Sequence, residues 1–289
     1  MVHINKVTHY LNTKGIRITV ADVSSAAIHL QKIHKLPGLT GSIMGKVLAG
    51  TATLATDFKN HEGISLQWRT SSKLGTLYAD VYENGYVRGY PEYIIDQDVR
   101  KTIKNEKELV SAPGSKITVT RYSLLKMPYN STIMLQNGDV SDCLTQYLSE
   151  SDQTRAIVKT ETQINQAGEL VRAAAYMAEL LPEGNSELFH LLFENNEYFL
   201  FDKFAGKSLL TLLENGEFRE LFQTSIVFKC TCSEDRIKNT LLSLPKVEKE
   251  KLLEQETTEI SCHYCGQLYK IPRSKLKNWF SQKGGYSHE

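Results

Sequence analysis

Two closely spaced cysteine pairs constrain this chain more than any other feature: Cys230-Thr-Cys232, then twenty-nine residues, then Cys262-His-Tyr-Cys265-Gly266. A pair one residue apart and a pair two residues apart cannot share one regular helix face, so tight turns must aim them. Turned toward each other, they offer four thiolates to one ion. Such a site is tetrahedral and closed, with no position left for water or substrate. Soft sulfur ligands select zinc, one ion per chain, over calcium or magnesium, with an iron–sulfur centre as the rival. Gly266 directly after Cys265 suits a knuckle, in which the backbone folds back and aims its N–H groups at the sulfurs. Lys229, Arg236 and Lys238 beside the first pair favour thiolate over thiol. His263 is a candidate fifth ligand, with solvent the plainer place for its ring. On spacing alone, a redox-inert zinc ribbon is also the plainer reading. The sharper one is that, if the metal leaves, each pair holds two sulfurs near enough to oxidise locally, so staple and switch would be one device.

Length and charge set the frame. At 289 residues and 32.7 kDa the chain is long enough for two domains and at least one buried core. Its net charge of +1 gives no global drive toward nucleic acid or an anionic membrane. Met1 to Tyr10 carries no apolar segment of signal-peptide type, and no later run has the length of a membrane span, so the expected compartment is the cytosol. Thiols rest reduced there, and clustered cysteines read first as a metal site.

Upstream of the cysteines the periodicities mix. Ile16, Ile18 and Val20 alternate as a strand. A helix follows, with Ser24 or Ser25 as its cap, Ile28, Leu30, Ile33 and Leu36 on its buried side, and Pro37-Gly38 as its stop. Thr40 to Lys59 reads as a longer helix, with Gly41 and Gly45 spaced for close packing. Ile64, Leu66 and Trp68 alternate again. Leu77 to Tyr82 and Tyr86 to Tyr90 flank Asn84-Gly85, a strong hairpin signal. Lys116 to Arg121 pairs with Ser131 to Leu135. A helix capped by Ser141 buries Val140, Cys143, Leu144, Tyr147 and Leu148, so the lone Cys143 is most simply a buried apolar residue, with a peroxide-sensing nucleophile as the alternative. Arg155 to Glu161 and Glu169 to Met177 are the last strands before Leu180-Leu-Pro182. The expected class is α+β, with a mostly antiparallel sheet and packed helices in residues 1–181. No catalytic constellation emerges; His29 and His34 are spaced poorly for shared ligation, and an enzyme is not expected.

Residues 182–229 differ in kind. Large apolar residues dominate, Phe189, Leu192, Phe199, Phe201, Phe204, Leu209, Leu212, Phe218 and Leu221 among them, interleaved mainly with acids. They read as a helical, apolar-rich linker, broken near Asn195-Asn196, Gly206 and Asn215-Gly216. The plain reading is a helical layer docked on the sheet. Residues 230–289 are too few for a sufficient core without a metal. Ser233 should cap a helix, Pro245 should separate it from a charged helix running to about Glu256, and Ile260 to Ile271 should form strand, knuckle and strand. Leu276, Trp279 and Phe280 then pack a terminal helix back.

The two spacings in that order, at the end of a chain of this size, resemble the heat shock protein 33 family of redox-regulated bacterial holdase chaperones. The resemblance extends to Gly15-Ile-Arg17, His34-Lys-Leu-Pro37, Met44 to Lys59, Gly85-Tyr-Val-Arg88-Gly-Tyr90 and Pro128-Tyr129. It departs at Ser151-Asp152-Gln153, where Ser-Glu-Gln is usual, and at Ala173-Ala174-Ala175, where a Gly-Gly pair is common. The resemblance implies zinc on Cys230, Cys232, Cys262 and Cys265 when reduced. It further implies Cys230–Cys232 and Cys262–Cys265 disulfides when oxidised, with zinc released, the linker unfolded and unfolded client proteins bound without ATP. The expected client surface is Phe189, Leu192, Phe199, Phe201, Leu209, Leu212, Phe218 and Leu221. A homodimer on activation is implied by the family only.

Two other classes compete. A zinc-ribbon nucleic-acid-binding protein would use Lys270, Arg273, Lys275 and Lys277 near Trp279, Phe280 and Tyr286. From Cys230 onward ten Lys and Arg face eight Asp and Glu, and a four-thiolate zinc centre carries −2, so the tail is near neutral and no nucleic-acid partner is expected. A dithiol oxidoreductase would use Cys262 and Cys265, but the strand-to-helix setting of such pairs is missing.

Overall fold

The alternation at Ile16 has a structural counterpart in the computed structural model, which describes residues 5–55, 62–92, 105–123, 126–201 and 207–281. Chain contacts divide the protein into two units, Met1–Lys229 and Cys230–Glu289. In the first, strands β1 (Lys6–Asn12) and β2 (Ile16–Asp22) precede helices α1 (Ser24–His34) and α2 (Gly38–Thr53). Next come β3 (Gly63–Arg69), β4 (Thr76–Tyr82), β5 (Tyr86–Glu92), the short α3 (Glu106–Val110), β6 (Lys116–Ser123) and β7 (Lys126–Met134). Helix α4 (Val140–Glu150), β8 (Ala156–Ile164) and β9 (Leu170–Leu180) follow. After these, α5 (Ser186–Phe189) runs into one π turn (His190–Glu194) and is succeeded by α6 (Leu209–Glu214), β10 (Phe218–Ser225) and β11 (Val227–Phe228).

Two sheets result, ordered β10-β1-β2-β9-β8 and β11-β5-β4-β3-β6-β7. Every pairing is antiparallel except β11 with β5. The α+β class with largely antiparallel sheets is therefore the observed one.

The main core lies between the sheets and takes Ile64, Leu66 and Trp68 from β3, Ala173, Ala175 and Met177 from β9, and much of α2. Helix α2 is buried from Thr40 to Thr53 at every position except Lys46. A helix enclosed on all sides needs no polar face, which accounts for its small residues. A Cβ at Gly45 would stand 3.2 Å from Ala173 Cβ, so the spacing of Gly41 and Gly45 does serve close packing. The three alanines at 173–175 cost nothing in backbone: they lie inside regular β9, fully buried, and none has a positive φ. Asp152 accepts hydrogen bonds from Arg121 at 2.7 Å and Tyr147 at 3.2 Å, so the shorter acid in Ser-Asp-Gln reaches its partners.

Several local expectations change. Helix α1 is not capped by Ser24 or Ser25; Asp22 Oδ1 and Asn5 Oδ1 accept their backbone N–H groups instead. Ser24 Oγ is drawn to β9, where it accepts from the Ala173 N–H. At α4 the cap is Asp139, in a reciprocal box with Asp142. Ser141 faces Thr160 and accepts its N–H. Helix α2 ends at Thr53, with Leu54 as its C-cap; residues 56–61, and with them Lys59, lie outside the described residues. Cys143 is buried, and burial together with Asp142, Asp139 and Glu106 pushes its thiol up to about 12, which removes its nucleophilicity at neutral pH.

The hairpin at Asn84-Gly85 forms, and its glycine is required twice over. Gly85 has φ +74°, and a Cβ there would lie 1.8 Å from the Ser225 carbonyl oxygen. The close approach lets Val227 N–H reach Gly85 O at 3.0 Å and start β11. Gly85→Ala is expected to cost about 2–3 kcal/mol from the disfavoured φ and the backbone displacement. A thermal scan should then show a midpoint roughly 5–10 °C lower; an unchanged midpoint would mean that β11 docks without this contact.

The apolar segment after Pro182 forms a third layer. Ile16, Ile18 and Val20 of β2 and Ala174, Tyr176 and Ala178 of β9 face away from the main core, and Phe189, Phe193, Tyr198, Leu200, Leu209, Leu212 and Phe218 cover them. Short helices occupy its first part as expected. Beyond Asn215-Gly216 the helical reading fails: Phe218–Ser225 is strand β10, antiparallel to β1 from Lys6↔Ser225 to Asn12↔Phe218 with a bulge between His9 and Tyr10. The open edge of β1 offers a full ladder of backbone partners, which outweighs the weak local preference of Phe-Arg-Glu-Leu-Phe-Gln-Thr-Ser.

Polar contacts pin the layer along β8. Arg155 pairs with Glu194 at 2.7 Å, Lys159 with Glu197 at 3.0 Å, and the Glu161 carboxylate accepts the N–H groups of Leu200 and Phe201 at 2.8 and 3.1 Å. The Arg155 guanidinium holds the Glu194 carboxyl at about 2 against an opposing effect of burial, with His190 adding a lesser downward pull. A depressed carboxyl stabilises the docked form above its ordinary value near 4.5 and ceases to do so as the pH falls through about 2. The Glu194 carboxyl carbon should therefore titrate near the lower value by NMR and near the ordinary one in Arg155→Ala. Coincident titrations in the two proteins would remove Arg155 as the cause.

Candidate metal centre

The second unit begins at the first cysteine pair. Its elements are α7 (Glu234–Leu242), α8 (Lys246–Leu252), β12 (Thr257–Ser261), β13 (Leu268–Pro272) and α9 (Arg273–Ser281). Ser233 caps α7 by accepting the Arg236 N–H at 3.2 Å, with Glu234 and Asp235 in the first turn to complement the helix dipole. The cap fixes where Cys230-Thr-Cys232 must turn. Pro245 opens α8, which ends at Leu252 rather than near Glu256, because Thr257 already pairs with Pro272 in the β12–β13 hairpin.

The knuckle is the loop of that hairpin. Ser261 pairs with Leu268, Cys262 N–H donates to Gln267 O at 2.9 Å, and Gly266 N–H donates to Cys262 O at 2.8 Å. Gly266 takes φ +69°, the left-handed conformation that an L side chain rarely adopts. Beneath the loop the core is small: Leu241, Ile271, Leu276 and Trp279 are buried, with Ile237, Ile260 and Phe280 packed at its edge.

The turns bring all four sulfurs together. The Sγ atoms of Cys230, Cys232, Cys262 and Cys265 lie within 4.8 Å of one another, the one grouping of its kind among the described residues. Two approaches cross between the pairs, Cys230 to Cys262 at 3.6 Å and Cys232 to Cys265 at 3.4 Å. Four sulfurs at about 2.3 Å from a central zinc would stand roughly 3.8 Å apart, so the donor set and its spacing fit one tetrahedral ion. His263 is exposed on the knuckle and is not in the group.

Electrostatics favour a cation at the centre. Burial pushes the Cys230 and Cys265 thiols up, while the backbone N–H groups of Cys232 and Gln267 pull the other way. At Cys232 burial also pushes up, but the Tyr269 hydroxyl and the adjoining sulfurs outweigh it and hold this thiol below its ordinary range. Four thiolates this close repel strongly unless a cation sits among them.

The family model described as Hsp33 protein matches residues 6–272. This chain belongs to the Hsp33 family. A 33 kDa chaperonin of Prochlorococcus marinus is 29% identical over 283 residues, covering 91% of this chain and 93% of that protein. Another, from Lactiplantibacillus plantarum, is 23% identical over 280 residues, with 93% and 94% covered. The crystal structure of a 33 kDa chaperonin (heat shock protein 33 homologue) from Thermotoga maritima has the same fold, with a TM-score of 0.82 over 96% of this chain and 98% of that one, at 19% identity.

Within this Hsp33-family chain the other sequence candidates fare unequally. Phe189, Leu209, Leu212 and Phe218 are buried in the third layer, Leu192 and Phe201 pack against it, and Phe199 and Leu221 are 38% and 39% exposed. Phe204 lies outside the described residues. Much of the basic cluster is engaged internally: Lys270 pairs with Glu259 at 2.8 Å, Lys275 with Glu234 at 2.5 Å, and Arg273 donates to the Gln255 carbonyl at 3.1 Å. Trp279 is buried, so its ring is not offered to a base, and Tyr286 lies outside the described residues. No helix of the described residues is long and apolar enough to cross a membrane.

One functional residue was not singled out by the sequence. Tyr269 on β13 donates its hydroxyl to Cys232 Sγ at 3.2 Å. Strand alternation could have flagged it, since Tyr269 shares a face with Ile271, which is buried in the core beneath the knuckle.

Proposed function

We propose that this chain is a redox-regulated holdase chaperone that works without ATP in the cytoplasm, binding unfolding proteins under oxidative stress. The observation that carries the reading is the meeting of four cysteine sulfurs within 4.8 Å, in the unit that directly follows the apolar third layer in sequence. Family membership and the names of the curated relatives support it. The proposed division is a chaperone domain at 1–181, a linker at 182–229 and a switch domain at 230–289.

Zinc is the proposed ion, held by Cys230, Cys232, Cys262 and Cys265. Sulfurs this close suit one mononuclear centre better than a cluster whose cysteines bind separate irons. When bound, zinc supplies folding energy of about 10–16 kcal/mol by analogy with finger peptides. Under a hydroperoxide a thiolate takes one oxygen to become a sulfenic acid, and its partner thiol displaces water from it. The two thiols that form each disulfide thus give two electrons and two protons to one hydrogen peroxide, which leaves as two waters. The proposed pairs are Cys230–Cys232 and Cys262–Cys265. With their thiolates consumed, the four cysteines could no longer hold an ion, so the switch domain would unfold, the linker would be released, and Phe189, Leu192, Phe199, Phe201, Leu209, Leu212, Phe218 and Leu221 would become client surface. Dimerisation accompanies activation.

The test is suppression of thermal aggregation of an unrelated client by the reduced, zinc-loaded chain and again after peroxide, with released zinc read in parallel. Activity that rises as about one zinc per chain is lost is the expected result. Retained zinc, or aggregation that is never suppressed, overturns the reading.

A further inference from the structure

We infer that the Tyr269 hydroxyl is the outer hydrogen-bond donor of the metal centre, placed to hold Cys232 as a ligand and to slow its oxidation. The inference rests on the metal reading of the four cysteines.

The four sulfurs are not equivalent. Cys232 Sγ receives a side-chain donor from β13, the Tyr269 hydroxyl at 3.2 Å. Its position is well fixed. Tyr269 pairs with Ile260 across the hairpin, and Ile271, two residues on and on the same face, is 1% exposed in the small core. A strand paired at Tyr269 and anchored by Ile271 gives the hydroxyl a defined aim.

The chemistry follows from what a thiolate offers. A metal-bound sulfur keeps lone pairs that can attack a hydroperoxide, and a donated O–H ties up one of them and draws charge from the sulfur. The same bond offsets part of the −2 charge of a zinc centre with four thiolates, and so strengthens binding. Loss of an outer partner of this kind typically weakens metal binding 10–100-fold. The sulfur attacked by oxidant would simultaneously become more exposed in charge and less firmly held.

The experiment compares the full chain with Tyr269→Phe, which keeps the ring and the strand and removes only the donor. Zinc loss to a chelator, and separately to hydrogen peroxide, should be roughly tenfold faster in the variant. Cobalt(II) in place of zinc gives a second readout that ring packing alone would not move. The thiolate-to-cobalt charge-transfer band should shift to lower energy in Tyr269→Phe, because a sulfur without the hydrogen bond gives up an electron more easily. Site-specific 3-fluorotyrosine at 269, a stronger donor with an intact ring, should move both rate and band the opposite way and keeps the test valid should the phenylalanine variant fold poorly. Release rates within twofold of the parent with an unmoved band overturn the inference and leave the metal centre standing. Faster release with an unmoved band in both variants also overturns it, in favour of ring packing. A parent chain that takes up no metal overturns the metal reading and this inference together.

Discussion

Cys262→Ser is expected to abolish stable metal uptake and to unfold the second unit while the first stays folded. Serine does not ionise near neutral pH, so three thiolates would remain around a site built for four. Among the described residues, the core beneath the knuckle has four buried apolar side chains, Leu241, Ile271, Leu276 and Trp279. Such a core cannot offset the conformational entropy of sixty residues, whereas a structural zinc contributes about 10–16 kcal/mol, as much as the whole stability of an ordinary domain. Metal stoichiometry should fall from about one per chain to near zero. In an amide correlation spectrum, signals from β12, β13 and α9 should collapse toward random-coil positions, with those of β3 and β9 unmoved. On the holdase reading this variant also suppresses aggregation before any peroxide is added. A dispersed spectrum for the second unit without metal would show that its small core stands alone, and the ion would then be an accessory.

Phe189→Ala is the second large effect, and it separates the third layer from the metal. Phe189 is fully buried, its ring 5.6 Å from that of Phe193 and with the Arg155 guanidinium over its face. Removing a buried phenylalanine typically costs 3–5 kcal/mol. A thin layer held by short helices opens at less than the global stability, so a loss of this size falls mainly on residues 186–214. Limited proteolysis should cut this segment in the reduced, metal-loaded variant, at sites protected in the parent. On the proposed function, the same sample should suppress client aggregation without oxidant. A segment that is cut while aggregation continues would mean that the layer is not the client surface. An uncut segment would mean that the polar contacts of Arg155, Lys159 and Glu161 suffice to hold it.

Much of the fold was legible because the signals are local and periodic. Ile16, Ile18 and Val20 needed only alternation, and Asn84-Gly85 needed only the turn chemistry of its two residues. The Ala- and Gly-rich stretch after Pro37 gave a buried helix, though not its end at Thr53. The cysteine spacing named the four residues that meet, and Gly266 named the turn that aims the second pair. Caps were read less well. Ser24 and Ser141 have the right chemistry for caps, yet both face strands, β9 and β8, where a buried backbone N–H needs a partner more than the helix terminus does. Asp22, Asn5 and Asp139 serve the helices instead.

By itself the sequence determined the class of the fold, the strands of the inner sheets, the apolar character of the segment after Pro182 and the four cysteines that meet in the candidate metal centre. These follow from residue type and short spacing, which fix burial patterns and ligand chemistry wherever the segment ends up. Tertiary structure alone decided that Phe218–Ser225 is a strand, because the choice depended on an edge of β1 more than two hundred positions away in the register Lys6↔Ser225. It likewise decided which face of the β2–β9 pair the third layer covers, and that Tyr269 rather than His263 attends the sulfurs. Partners distant in sequence leave no period to read, and their contacts exist only once the chain has brought them together.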